Sequence, residues 1–222
     1  PGLSIRSSNG TDPNAGVSIQ LRGVNSVNAS QGPLVVIDGV PGGSINSVVR
    51  EDIASIEVLR DASAAAIYGT RASGGVILIT TRRGRKQQTL INVNANTGWQ
   101  QVVKKQQMLN ADEWHDYKGT SPQPWMADTD WLSEVFRIAP MSGYELSASG
   151  GNESTQFFVS GNYFSQTGTL LGTSFERLNT RINLDHTINQ RAKFGVSFGA
   201  SYALNNRVEG DQSLNGVLPN AL

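Results

Sequence analysis

From about residue 88 onward the side chains alternate strictly in character. In "TLINVNANTGW" Ile91, Val93, Ala95 and Trp99 fall on one side, while Asn92, Asn94 and Asn96 fall on the other. In "FERLNTRINLDHTI" Leu178, Ile182, Leu184 and Ile188 oppose Arg177, Asn179, Arg181, Asn183 and Asp185. In "AKFGVSFGASYAL" Phe194, Val196, Phe198, Ala200, Tyr202 and Leu204 oppose Gly195, Ser197, Gly199 and Ser201. "TQFFVSGNYFS" sets Phe157, Val159 and Tyr163 against Ser160 and Asn162, with Phe158 breaking the rule, and "GYELSASG" is a shorter fifth example. A period of two is the mark of a strand, whose successive side chains leave opposite faces.

Few folds accept such strands. The polar faces carry too many amides and charges for a sandwich core, and the apolar faces are too continuous for water. A wall with hydrocarbon outside and water inside satisfies both. The connections agree with that reading. "GGNES" and "NQR" are tight turns, whereas 100–141 and 165–174 are long, and short turns on one side with long loops on the other describe an outer-membrane β-barrel. The competing architecture is a soluble sandwich with one solvated face per sheet.

Composition narrows the field further. Eighteen basic residues balance eighteen acidic ones, so no long-range field draws the chain to nucleic acid. Charged residues are only 16% of the chain, and 24 glycines accompany frequent Asn, Ser and Thr, which suits β structure with many turns. Cysteine is absent, which excludes disulfide and thiol chemistry. No apolar run is long enough for a membrane-spanning helix.

Residues 1–84 read differently, as a small mixed α/β unit. "GLSIRSS" and "VSIQLRG" form an expected strand pair, and "PLVVIDGVP" is a short buried strand. "REDIASIEVLRD" opens with acids suited to a first helical turn and passes into a β-branched run. "ASAAAIYG" predicts a short Ala-rich helix stopped by Gly69, and "GVILITTRRG" another strand.

The constellations here are not those of an enzyme. Gly69 to Gly75 has the glycine spacing of a phosphate loop, but Gly75 and Val76 stand where Lys and Ser or Thr belong, and the order is helix to strand. Glu113, His115 and Asp116 diverge around a helix axis, so solvation in a loop is expected in place of a metal site. No nucleophile with a base, paired carboxylates or Cys/His spacing emerges, and no cofactor is implied. Trp114, Tyr117, Trp125 and Trp131 crowd the first long loop, where they either stack on sugar rings or pack the loop against itself, the rim or a lid.

With those residues in view, "SIQLRG" (18–23), "PLVVIDGVP" (33–41) and "EDIASIEVLRDASAAAIYGTRASGGVILITTRRG" (51–84) resemble the plug domain of TonB-dependent outer-membrane transporters, most of all the SusC-like branch that imports glycans or peptides. The Asn-rich strand that follows is similar to the opening barrel strand of that family. The resemblance implies an α+β plug domain, a small mixed sheet with short helices (1–84), followed by antiparallel strands of a transmembrane β-barrel (85–222). It implies a bacterial outer-membrane location and TonB-dependent active import of a glycan or peptide oligomer. A different cargo, such as a siderophore or cobalamin, or a non-transporting barrel fragment held on an insertion or secretion machine, is the alternative.

The same resemblance assigns roles. Asp38, Gly39, Tyr68, Gly69, Gly74 and Gly75 would be plug scaffold. The plug charges Glu57, Arg60, Asp61 and Arg71 would latch the plug to the wall until TonB pulls. Lumen-facing Arg177 and Arg181, together with Trp114, Tyr117, Trp125 and Trp131, would touch cargo or a SusD-like surface lipoprotein. A barrel that holds a plug has about 22 strands, and five are legible here. With no initiator Met or leader at Pro1-Gly2, the residues are expected to be part of something longer, the TonB-contact segment lying outside them.

Overall fold

The structure is a computed structural model and describes residues 4–7, 17–21, 32–59, 66–105, 107–121 and 128–208. Two sheets organise it. The first has four strands in the order β4-β3-β6-β5: β3 (Leu34–Ile37), β4 (Val40–Pro41), β5 (Ile53–Leu59) and β6 (Val76–Thr81). A separate strand pair, β1 (Ser4–Ser7) and β2 (Val17–Gln20), precedes it, as the alternation predicts. The second sheet is antiparallel, β7 to β11 in chain order: β7 (Gln87–Gln100), β8 (Ala139–Gly151), β9 (Thr155–Thr167), β10 (Ser174–Asn189) and β11 (Ala192–Asn206).

In the small sheet β3 and β6 run parallel, Leu34 opposite Val76 and Ile37 opposite Ile79. Both strands are continuous apolar runs because both of their faces are covered. Ile77 and Ile79 pack with Leu21 and Val48 on one side, and Val36, Val76 and Ala72 pack on the other with Tyr68 against them. Asp38 and Gly39 make the two-residue turn from β3 to β4, with φ of 49° and 86°; positive φ at both central positions is what a tight hairpin of this kind demands. The acids Glu51 and Asp52 sit in a one-turn 3-10 helix, Arg50–Asp52, before β5 begins. The Ala-rich helix is a 3-10 turn over Ala66–Ala72, kinked at Gly69, and residues 60–65 lie outside the described part. Gly75 has φ of 94° beneath Leu21, and a Cβ there would approach Leu21 Cδ1 to 2.7 Å.

The five long strands are the expected ones, although β8, read as a shorter one, has 13 residues, as many as β9 and one fewer than β7. Their burial is inverted relative to a soluble protein. Phe194 and Phe198 are 54% and 53% exposed, and Leu146, Leu178 and Tyr202 are exposed likewise. On the opposite face Asn183 is 1% exposed and Asn179 4%. The apolar face therefore looks away from the small sheet and the polar face lies against it. Phe158, the exception to the alternation, is buried on the inner face. No helix among the described residues is long and apolar enough to cross a membrane, which says nothing about strands.

Two short helices lie in the long loop between β7 and β8: α1 (Ala111–Lys118) and α2 (Trp131–Val135). Asn110 and Glu113 close a reciprocal capping box on α1, and Gly119 ends it with φ of 64°. Asp130 caps α2 through the Ser133 amide. The loop is tied to the β9–β10 connection by the Phe136–Leu170 bridge and by Arg137, which donates to the carbonyls of Gly168 and Thr173.

Candidate functional site

Register aligns the inner-face residues of the wall into rungs. Asn94, Glu145, Asn162, Asn179 and Ser201 form one rung across all five strands. The next rung carries Asn92, Ser147, Ser160, Arg181 and Gly199, and the one after it Leu90, Ser149, Phe158, Asn183 and Ser197. The small sheet meets these rungs in a polar seam.

Asp52 and Asp38 approach the wall from the small unit, and Arg181 stands between them. Arg181 Nη1 is 3.6 Å from Asp38 Oδ2, and its Nε is 3.7 Å from Asp52 Oδ2. Both separations exceed hydrogen-bond length, so charge holds the guanidinium, and Nε has no hydrogen-bond acceptor among the described residues. All three side chains are less than a tenth exposed. Ser160 Oγ donates to Asp52 Oδ1 at 2.6 Å. Thr81 donates to Asp38 through its amide at 2.8 Å and its hydroxyl at 2.6 Å. Asn183 Nδ2 in turn donates to Thr81 Oγ1 at 3.0 Å and to the Arg82 carbonyl at 2.6 Å. Ser197 Oγ donates to Asn183 Oδ1 at 2.7 Å.

At one end of this seam Arg83 forks onto Asp185, at 2.9 and 3.2 Å from its two oxygens. At the other, Arg177 donates to the Asn46 carbonyl at 3.2 Å and lies over the Phe175 ring. Gly84 runs against the β9 backbone, where a Cβ would fall 2.2 Å from Phe157 N. Burial pushes the Asp52 carboxyl above its ordinary value of 3.8, against the opposing pull of Ser160, Arg181 and Asn162.

The sequence reading and the seam agree in part. Arg181 was expected to face cargo; it is covered by the small unit and engaged with Asp38 and Asp52. Arg177 is likewise committed to the Asn46 carbonyl. Of the expected latch charges, Glu57 and Arg71 are exposed and make no side-chain hydrogen bond or ion pair among the described residues, while Arg60 and Asp61 lie outside them. Glu57 sits on β5, at the edge of its sheet, whose outer side pairs with no described strand. Asp38, expected as scaffold, is both a turn residue and the carboxylate that Thr81 and Arg181 share. Gly39, Gly69 and Gly75 take positive φ, whereas Gly74 does not. Trp114, Tyr117 and Trp131 are exposed in the loop, and Trp125 lies outside the described residues. His115, expected to be solvated, is buried and bonds to Thr120 Oγ1 at 2.7 Å. No metal-holding group exists among the described residues.

Asp52, Thr81, Asn183, Ser160 and Ser197 were not singled out for the seam. The alternation does place Ser160, Asn183 and Ser197 on the wet face, so that half of the signal was available. Their plug partners come from the Asp38 turn, the Asp52 turn and the end of β6, all distant in sequence.

Residues 1–76 match the TonB-dependent Receptor Plug Domain. Over 199 residues the chain is 37% identical to TonB-dependent receptor P3 of Formosa agariphila, covering 88% of this chain and 20% of that protein. It is 35% identical over 219 residues to TonB-dependent receptor SusC of Bacteroides thetaiotaomicron, covering 87% of this chain and 21% of that one. The chain belongs to the SusC-like TonB-dependent receptors. It spans about a fifth of the length of these relatives. Among solved structures the RagAB peptide importer in its open-open state superposes with a TM-score of 0.83 at 28% identity, covering 95% of this chain and 28% of that one. The siderophore receptor PirA of Acinetobacter baumannii, at 19% identity and a TM-score of 0.56 over 92% of this chain and 28% of that one, shares the fold. The small mixed unit is thus a receptor plug, and β7 to β11 are strands of the β-barrel wall; TonB-dependent receptors are outer-membrane β-barrel proteins.

Proposed function

We propose that the receptor carrying this segment imports a nutrient oligomer, a glycan or a peptide, across the bacterial outer membrane, with the plug gating the lumen. Energy comes from TonB pulling on the plug, and a SusD-like surface lipoprotein closes over cargo on the outside. The segment performs no chemistry on the cargo. The observation that carries the reading is the seam itself. Its contacts are polar and bridged by single charges, and buried ion pairs of this kind contribute little net stability while the loss of one partner is costly. That combination suits a plug held in place yet movable by an external force. The likeness to a peptide importer and to SusC favours an oligomer over an iron chelate. We take the 84/85 boundary between plug and wall to fall in the connection between β6 and β7, a reading supported by the change from the small mixed sheet to the long antiparallel strands.

The test uses the full-length receptor in cells. A Thr81→Cys/Asn183→Cys pair, at positions whose side chains now meet at 3.0 Å, would lock plug to wall under oxidation. Growth on a neutral glycan, an acidic glycan or a peptide hydrolysate as sole carbon source is expected to need the receptor, to stop when the lock is oxidised and to resume on reduction. Growth on all three in a deletion strain, with failure only on an iron chelate or cobalamin, would overturn the oligomer reading. Growth with the lock closed would overturn plug gating.

A further inference from the structure

The seam is one-sided. Its bonds end on Ser160 of β9, on Arg177, Arg181, Asn183 and Asp185 of β10, and on Ser197 of β11. Among the described residues, no hydrogen bond or ion pair joins the plug to β7 or β8. There a cavity of about 640 Å³ separates the two. Ile53 and Ala54 of β5, with Arg82 and Arg85, line its plug side, and Asn92 and Ser149 line its wall side. Strand β5 is the edge of the plug sheet, so nothing in that sheet closes the gap. Beyond the cavity the inner face of β7 continues with Asn94 and Asn96, both exposed.

The chemistry of the gap is selective. Its lining includes amides, hydroxyls and three guanidinium groups, and no carboxylate. Arg83 is neutralised by Asp185, and Arg82 acts by charge on Glu145 of the β8 inner face just beyond the lining, while Arg85 is exposed and makes no ion pair among the described residues. Such a lining hydrogen-bonds a hydrophilic chain along its length, attracts negative charge and repels cations.

We propose that the plug is fastened along one arc of the wall, β9 to β11, and that cargo passes down the other arc, between β5 and the amide-bearing inner face of β7–β8. The lane takes a neutral or acidic hydrophilic oligomer and disfavours a basic one. This deepens the import reading and rests on it, but the experiment below needs no transport. It therefore separates failure of the lane from failure of the import reading.

This segment contains no cysteine, so single thiols can be placed in the full-length receptor and read against the parent. Ser149→Cys, which is nearly isosteric, and Asn92→Cys sit in the lane; Asn179→Cys sits under the fastened arc. Labelling in purified receptor and in outer-membrane vesicles would use an anionic reagent, sulfonatoethyl methanethiosulfonate, and a cationic one, trimethylammonioethyl methanethiosulfonate. Both lane thiols are expected to react at least about tenfold faster than Asn179→Cys, consistent with the burial difference. Relative to an exposed reference, Gln101→Cys, the anionic reagent should be favoured about threefold in the lane, and Arg82→Gln/Arg85→Gln should abolish that preference. Equal rates under both arcs would overturn the one-sided fastening. Slow lane thiols would show the gap filled and overturn the lane. Fast lane thiols without charge preference would overturn the proposed cargo class.

Discussion

Replacing Arg181 by Met in the full-length receptor removes the cation that, among the described residues, stands between two buried carboxylates. Asp38 and Asp52 then face each other across a seam from which their side chains are almost wholly screened, 6% and 3% exposed. Breaking a buried pair by deleting one partner costs about 3–5 kcal/mol, and each 1.4 kcal/mol is about a factor of ten, so the docked plug should lose roughly 150- to 4,000-fold in its equilibrium with the undocked plug. The seam itself says where in that range the result falls. Asp52 is already pushed up by burial, and a carboxyl in that position sheds part of the penalty by taking a proton. The loss should therefore be smaller at acidic pH than at alkaline pH. Urea-dependent channel conductance in planar bilayers reads plug release, and the midpoint should fall in Arg181→Met. Adding Asp38→Asn and Asp52→Asn should recover most of it, since no charge remains uncompensated and the amide oxygens still accept one of the two Thr81 bonds and the Ser160 bond. A normal midpoint in Arg181→Met would refute the reasoning, as would a triple variant no better than the single one.

Two further outcomes follow from the same seam. The docked Asp52 carboxyl titrates above its ordinary value, so its contribution to docking is fully present below about pH 3.8 and is lost as pH rises through the raised value. Plug release by urea should accordingly become easier with rising pH over that window, and Asp52→Asn should flatten this part of the profile; a parent profile that runs the other way contradicts the assignment. Gly84→Val forces a side chain onto the β9 backbone, where the first added carbon would stand 2.2 Å from Phe157 N. Overpacking of this kind costs about 1–3 kcal/mol or more, and receptor abundance in the outer membrane and its thermal midpoint should both drop, with Gly84→Ala intermediate.

How much of this was legible follows from which interactions are local. The wall was readable because lipid on one face and water on the other impose a period of two on every strand, and the polar row of Asn179, Arg181 and Asn183 needs no structure to be placed inward. Phe158 broke the pattern because its inner position is covered by the plug, where an apolar side chain is tolerated. The buried strands β3 and β6 announced themselves as short apolar runs. The latch did not, because it joins turn and wall residues about a hundred or more positions apart. Asp38 looked like a turn residue and is one, but its second role depends on Arg181 arriving from β10. Glu57 looked like a latch by its company of charges, but it is exposed on an edge strand and its side chain reaches no wall residue among those described. His115 gave no sign of burial because its partner, Thr120, lies just past the glycine that ends the helix.

The central claim is that the wall turns its oily side outward and its wet side to the plug, and a cysteine scan along β11 tests it most directly. Spin labels at residues 194 to 202, one at a time in the receptor reconstituted in bilayers, report collisions with oxygen, which concentrates in lipid, and with a water-soluble nickel chelate. The account predicts oxygen access peaking at 194, 196, 198, 200 and 202 and falling at the odd positions between them. A profile without that period, or with Ser197 and Gly199 in lipid and Phe194 and Phe198 shielded from it, would contradict it.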